Sequence, residues 1–301
     1  PEQSESSWLP RTAGEAIYEE FFLATDGSEV RGGYILKHQP FWLAGANASV
    51  GSLYLPLSEG AVNPQYGKLG LQLLLNALKR QPLLYSLGMG SLHNPYPQLL
   101  KAAGWHLHPL PLHFLVLNAS AFCKNIMVLR QRTAPRLGLD VLAATGLGHL
   151  GFRALNAIRR QRPPTATSIR AEPVREFTPW VDAIWEQGRT HYTLTAIRNL
   201  EALRRLYPAE KEKFLKLKVF DGDEIIGWTA SLDTAMAGHK QFGDMRVASI
   251  IDGFSRPGRE IEVIHATTAF LEPRGVDLVV SNQSHQAWGE AFDRAGFVRG
   301  P

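Results

Sequence analysis

The chain has 301 residues, 45% hydrophobic and 20% charged, with a net charge of +4 and a pI near 9.2. That is length for two ordinary domains, each with a core of its own. No run approaches the roughly 18–20 apolar residues of a membrane span and no basic-then-apolar leader opens the chain, so a cytosolic protein is expected. The single Cys123, inside SAFCKNIMVL, excludes an internal disulfide and a thiolate zinc cluster and reads as an inert core thiol.

In chain order, EEFFLATDGSEVRGGYIL comes first, two β-rich runs around Asp26-Gly27, and this predicts a hairpin. VGSLYLPLS predicts a further strand, ending at the acid-glycine pair Glu59-Gly60. A turn-rich loop leads to the helical pattern LGLQLLLNALKR, and PLLYSLGMG predicts a strand. HNPYPQLLKAAGW has apolar residues at helical spacing and Gly104 as a natural C-cap. HLHPLPLHFLVLN reads as one more strand of this first copy.

The stretch 130–170 is the most skewed, with eight Arg against one acid, Asp140. Its middle mixes Leu, Phe and Ile at near-helical spacing with Gly breaks. Such a segment either packs its apolar face, with the arginines solvated, or lies on an anionic membrane surface. Nucleic acid is not the expected partner, because no aromatic platform is interleaved with these charges.

Beyond it, about forty residues of helical pattern run from FTPWVDAIWEQGRTHY through NLEALRRLYPAEKEKF. Then the first order returns: LKLKVFDGDEIIGWTASL as a hairpin, MRVASII as a strand before Asp252-Gly253, REIEVIHATTAFLEP as a helix, VDLVVSN as a strand and HQAWGEAFDRAGF as a helix closed by Gly296. The echoes fall at offsets of 195, 193 and 192 residues, which indicates a duplication with small changes in loop length. The division is therefore 1–129 for the first copy, 130–170 for a basic, partly helical linker and 171–301 for the second copy. The first copy lacks helices before its hairpin and the second stops at Pro301, four residues past Phe297, without an edge strand or two; the chain reads as trimmed at both ends.

This order of elements resembles the GNAT superfamily of acyl-CoA-dependent N-acyltransferases, here in tandem and divergent. VNPQYGKLGLQLL, Val62 to Leu74, is similar to that family's V-x-P-x-Y-R-x-x-G-x-G-x-x-L stretch, with Gly67 where the family usually has a basic residue and Gln72 where it has a second small one. The resemblance implies an α/β sandwich, two tandem copies of a mixed-sheet acyltransferase-like fold with helices on both faces. It also implies acetyl-CoA or another acyl-CoA as cofactor and a small-molecule amine or amino sugar as acceptor.

A loop that presents backbone N–H groups at a helix N-terminus suits a pyrophosphate. In the first copy Gln65, Gly67, Lys68 and Gly70 are the candidates, and in the second Arg256, Gly258 and Arg259; an ordinary strand-to-helix connection is the alternative for both. The family's usual proton donor, a Tyr four residues before the closing Gly, is replaced by Leu100 and Phe292. Each copy keeps an acid at the end of its fourth strand, Glu59 or Asp252, and a His after its fifth, His93 or His285, and Tyr96 is a spare hydroxyl. These five are the candidate catalytic residues, since amine deprotonation and thiolate departure need a base and an acid. The plainer reading makes the acids turn formers and the histidines helix-start residues. His106, His108 and His113 alternate without paired carboxylates, so no metal site is expected. Two functions follow: an N-acyltransferase, with one copy catalytic and the other degenerate, and a non-catalytic scaffold that binds an acyl-CoA or a partner. Oligomeric state is not readable.

Overall fold

The computed structural model describes residues 9–127 and 168–300. The chain forms two compact units, Pro1–Pro109 with Arg189–Ile197 and Leu110–Gly188 with Arg198–Pro301. The basic stretch 130–170 lies, apart from its last three residues, outside the described residues.

In the first unit, β1 (Tyr18–Asp26), β2 (Glu29–Leu43), β3 (Ala46–Ser58) and β4 (Leu84–Tyr85) form a sheet in that order, and β7 (Leu194–Ala196) pairs with β2. The first hairpin turns on Gly27, whose φ of 60° is open to glycine, while Asp26 ends the strand and pairs with Glu29. Helix α1 (Leu69–Arg80) lays Leu69, Leu73, Leu74 and Ala77 on Tyr34, Leu36 and Leu53 of the sheet, with Leu100 of α2 (Pro95–Ala102) in the same core. This approach needs Gly51: a Cβ there would lie 2.6 Å from Leu84 Cδ2 and 2.8 Å from Gln81 Cγ.

The strand expected over PLLYSLGMG shrinks to Leu84–Tyr85, because Gly88 and Gly90 both take φ of 71° and turn the chain away. The helical pattern expected before the second hairpin is also interrupted. Its residues 194–196 become β7, held by Phe41↔Ala196 to Leu43↔Leu194 and by burial of Ala196 and Ile197.

The second unit holds a seven-stranded sheet. It is built from β5 (Leu112–Val116), β6 (Ile169–Val174), β8 (Phe214–Asp221), β9 (Glu224–Ala235), β10 (Arg246–Ser255), β11 (Leu278–Asn282) and β12 (Val298–Arg299), in the order β12-β5-β11-β10-β9-β8-β6. Its helices are α3 (Ala119–Asn125), α4 (Trp180–Gly188), α5 (Leu200–Leu206), α6 (Glu260–Leu271) and α7 (Gln286–Arg294). Trp185, Trp228 and Trp288 are buried.

The sequence reading gives HLHPLPLHFLVLN to the first copy, whereas the structure places β5 inside the second unit's sheet, antiparallel to β11 and to β12. The reason is twofold. Pairing on both sides satisfies the backbone donors and acceptors of β5. In addition Val116 and the α3 residues Phe122 and Cys123 share a core with Val247, Leu278 and Val280. The edge expected to be vacant after Phe297 is thus filled by residues that precede the linker, beside a two-residue β12.

Candidate functional site

In the first unit β3 and β4 run parallel for two pairs, Gly51↔Leu84 and Ser52↔Tyr85, and then part. Immediately beyond, β3 carries a bulge: Tyr54 faces Ile35 and Leu57 faces Gly33, so Leu55 and Pro56 stand opposite one residue, with Leu55 at φ 48°. The opened ground is a cavity of ≈ 250 Å³, lined on one side by Leu53, Pro56 and Ser58, on another by Gly67, Gly70 and Leu73, and capped by Tyr96 and Leu99.

The loop from β3 to α1 is built for tightness. Glu59 opens a short turn, its Oε1 accepting from Asn63 Nδ2 at 2.9 Å and its Oε2 from Arg31 Nη1 at 3.0 Å. Those two bonds, Asn63 first and Arg31 second, hold its carboxyl below the usual range. Gly60 is obligatory, because a Cβ would sit 2.2 Å from the Tyr66 carbonyl oxygen. Gln65 N–H donates to Asn63 Oδ1 at 3.1 Å and Gly67 N–H to the Pro64 carbonyl at 3.1 Å, so both amides are engaged within the loop. The first intrahelical bond is Gln72 N–H to Lys68 C=O at 3.1 Å, which leaves the amides of Leu69, Gly70 and Leu71 without an acceptor in the helix. No acid stands in that first turn, and Lys68 is exposed with no ion pair among the described residues. The arrangement fits an anionic group, with Lys68 and three helix-start amides to hold it.

Of the expected catalytic residues, Tyr96 lines the cavity. Its hydroxyl lies 3.5 Å from Ser86 Oγ, and Ser86 donates to the Leu53 carbonyl at 2.6 Å. Burial raises the Tyr96 pKa, so it stays protonated. Tyr96 stands one turn before Leu100 on the same face of α2, and Leu100 is wholly buried. Glu59 and His93 do not line the cavity; His93 sits exposed in the turn before α2, its N–H on Ser91 Oγ at 3.3 Å.

The second unit repeats the parting strands and the bulge but differs in its acid and its loop. β10 and β11 pair over Val247↔Leu278 to Ser249↔Val280 and part in the same way, with Ile251 bulged between Ile250 and Asp252. Asp252, however, lies inside β10 beside the bulge, while Glu59 follows the end of β3, so the two acids are not equivalent. Asp252 is buried: Oδ2 takes Arg198 Nε at 2.7 Å and the Tyr207 hydroxyl at 2.8 Å, and Oδ1 takes the Gly253 N–H at 2.9 Å. Burial, and then the Asp252 charge, push the Tyr207 hydroxyl well above its ordinary pKa and keep it a donor.

Around α6, Arg256 pairs with Glu224, and Arg259 with Asp221 and, at 3.3 Å, with Glu262. Gly258, at φ 76°, donates its N–H to Glu260 Oε1 at 3.3 Å. The first turn of α6 therefore carries its own two carboxylates. His285 caps α7 and borders a separate cavity, and burial lowers its pKa.

Sequence reasoning missed the two bulges, although Pro56 inside a strand pattern is a signal for one. It also missed Arg31, Arg198 and Tyr207 as partners of the acids, contacts that no local pattern announces. Among the described residues no group of three or more His, Cys, Asp or Glu could hold a metal, and no helix is long and apolar enough to cross a membrane.

Neither a family model nor a curated protein matches the sequence. Solved structures do match. A GCN5-related N-acetyltransferase from Anabaena variabilis ATCC 29413 superposes with a TM-score of 0.54 at 12% identity, over 93% of this chain and 60% of that one. A conserved protein of unknown function from Enterococcus faecalis V583, described as a probable N-acyltransferase, gives 0.53 at 8% identity, over 94% and 60%. Saccharomyces cerevisiae N-myristoyltransferase with bound myristoyl-CoA gives 0.50 at 10%, over 91% and 62%. The chain thus spans about 60% of the length of these proteins. With parting parallel strands beside a bulge in both sheets, and with these neighbours, the chain has the fold of the GCN5-related N-acyltransferases, in a divergent form.

Proposed function

We propose that the protein is an acyl-CoA-dependent N-acyltransferase whose first unit holds the acyl donor and whose second unit does not. The observation that carries this reading is the ≈ 250 Å³ cavity where β3 and β4 part, joined to an α1 N-terminus free of acids. Leu69, Gly70 and Leu71 amides and Lys68 would hold the pyrophosphate, and the apolar walls of Leu53, Leu73 and Leu99 would take the arm and its acyl group. Acyl-CoA supplies an activated thioester to an amine, an acetyl group passing to a small molecule or amino sugar in the simplest case. This chain's part is to bind, exclude water and manage protons. Tyr96, protonated and at the cavity wall, is the proton donor; Glu59, with both oxygens engaged, fixes the loop.

The second reading, a non-catalytic scaffold that binds acyl-CoA or a partner, is favoured by one observation. The positions of the family's usual Tyr are Leu100 and Phe292, both wholly buried apolar side chains.

Calorimetric titration with acetyl-CoA and a longer acyl-CoA, on the wild type and on Gly70→Trp, tests the first part. A Cβ added at Gly70 would meet Leu99 Cδ2 at 3.7 Å and Ser58 Oγ at 3.8 Å, ordinary contact distances, so an indole there fills the cavity, and affinity should fall by about a hundredfold or more. Absence of heat with any acyl-CoA on the folded wild type would end the transferase reading. Thiol release on adding amines should then fall by at least about a hundredfold in Tyr96→Phe at unchanged affinity; binding without thiol release from any amine would leave the scaffold.

A further inference from the structure

One face of the first sheet is bare. Gly32 of β2 faces α1, since a Cβ there would meet Leu69 Cδ2 and Leu73 Cδ1 at 3.1 and 3.2 Å. Its neighbour Gly33 therefore faces the other way, in a row with Leu23 of β1 and Leu57 of β3, and Phe21, Ile35 and Tyr54 form the next row on that side. Leu23 is 69% exposed, Leu57 70% and Phe21 57%, and Val30, opposite Thr25 beside the turn, is 57%. The second unit covers the same place. Gly227 faces Val263 of α6, 2.6 Å from where a Cβ would lie, which turns Trp228 to the opposite side, in a row with Lys218 and Phe254. Trp228 is wholly buried with its ring 5.0 Å from that of Phe177, Phe254 lies 5.3 Å from Trp185 of α4, and Lys218 Nζ stands 5.1 Å from the Trp180 ring. In the first unit the described helices α1 and α2 both pack in the core on the α1 side, and Gly33 stands where Trp228 does.

Four large apolar side chains, each more than half exposed, amount to roughly 400 Å², the size at which a surface patch marks an interaction site. Two such faces, with their partly exposed neighbours Ile35 and Tyr54, bring an interface to about 1,000 Å², the lower bound for a specific one. The pairs that border the patch are Glu19 with Lys37 and Asp26 with Glu29, three carboxylates to one cation, which disfavours an anionic lipid surface or a nucleic acid. A second copy turned by a twofold axis presents the same leucines and phenylalanine, so the patch meets a surface of its own size and polarity.

We propose that the protein forms a twofold dimer through this face of the first sheet, with Phe21 and Leu23 at the contact. Sedimentation velocity of the full chain over about 1–100 µM tests it, and should show a dimer that dissociates toward the low end, as an interface of this size implies. Phe21→Lys with Leu23→Lys, at exposed positions of an edge strand, should weaken association by about a hundredfold or more while far-UV circular dichroism stays unchanged. Leu71→Glu with Leu75→Glu, exposed leucines of α1 on the other side of the sheet, should leave the dimer intact. A wild-type monomer at the highest concentration would mean that something other than a copy of this chain covers the face, and would overturn the proposal. A dimer that survives the lysine pair, or one lost equally with the glutamate pair, would overturn it as well.

Discussion

The two strand-to-helix loops differ in length and in charge: residues 59–68 with two short turns in the first unit, residues 256–259 in the second. In the first unit the loop ends at a helix whose opening turn is Leu69, Gly70 and Leu71, with Lys68 exposed before it. In the second the helix opens with Glu260 and Glu262, and both nearby arginines are held by Glu224, Asp221 and Glu262. A helix N-terminus attracts an anion through its partial positive charge and idle amides; in the second unit the chain's own Glu260 already takes the Gly258 N–H, and two carboxylates in the first turn oppose a phosphate. The first helix start thus carries no carboxylate of its own and the second carries two, a difference made by side chains.

The largest effect expected from this contrast concerns the acids beside the bulges. Asp252 is inside the sheet with Arg198 and Tyr207, so Asp252→Ala takes the carboxylate from a guanidinium and a buried hydroxyl and should cost about 3 kcal/mol, the lower end for a broken buried pair. In a scanning calorimeter that is a loss of roughly 5–10 °C for a unit of this size. Glu59→Ala removes a more exposed pair with Arg31 and should move the melting temperature far less. Equal losses would erase the distinction between a buried strut and a loop anchor.

Next comes the loop itself. Leu71 occupies the helix position that Glu262 has in the second unit, and it is exposed. Leu71→Glu should therefore leave the fold intact and weaken acyl-CoA by about tenfold, a carboxylate now competing for the helix start. Lys68→Ala should weaken it by about three- to tenfold, less so at high salt, whereas Arg256→Ala should change it by less than about twofold. A larger loss from Arg256→Ala than from Lys68→Ala would move the donor site to the second unit.

Much of this contrast could be read before the fold was known, and the reasons are local. Helix α1 matches the pattern over 69–80, and Gly104 and Gly296 cap their helices at φ 84° and 94°, because periodicity and capping need only neighbours in sequence. The exchange of strands was not legible. β5 follows the first copy and enters the second sheet, and residues 194–196 lie among helical patterns and enter the first, since an apolar strand does not encode its pairing partner. In the site, Lys68, Gly70 and Tyr96 could be named from motif and spacing. That Asp252 is bound to Arg198 and Tyr207, and that Glu59 stands outside the strand, depends on contacts across the fold and on one bulged residue that shifts the register.

The smallest expected effect concerns pH and again separates the copies. Burial lowers the pKa of His113 and of His285, both in the second unit. A histidine whose folded pKa lies below its unfolded value of about 6.5 binds fewer protons in the native state, so its contribution is complete above that value and declines as pH falls below it. The second unit should therefore lose stability as pH falls below about 6.5, and replacing His113 with Phe should flatten that decline. Denaturant unfolding followed by the fluorescence of the buried Trp228 and Trp288 reads it directly. A flat profile in the wild type would mean that both imidazoles titrate alike in the folded and unfolded chain, and that the wall around His113 is open to water.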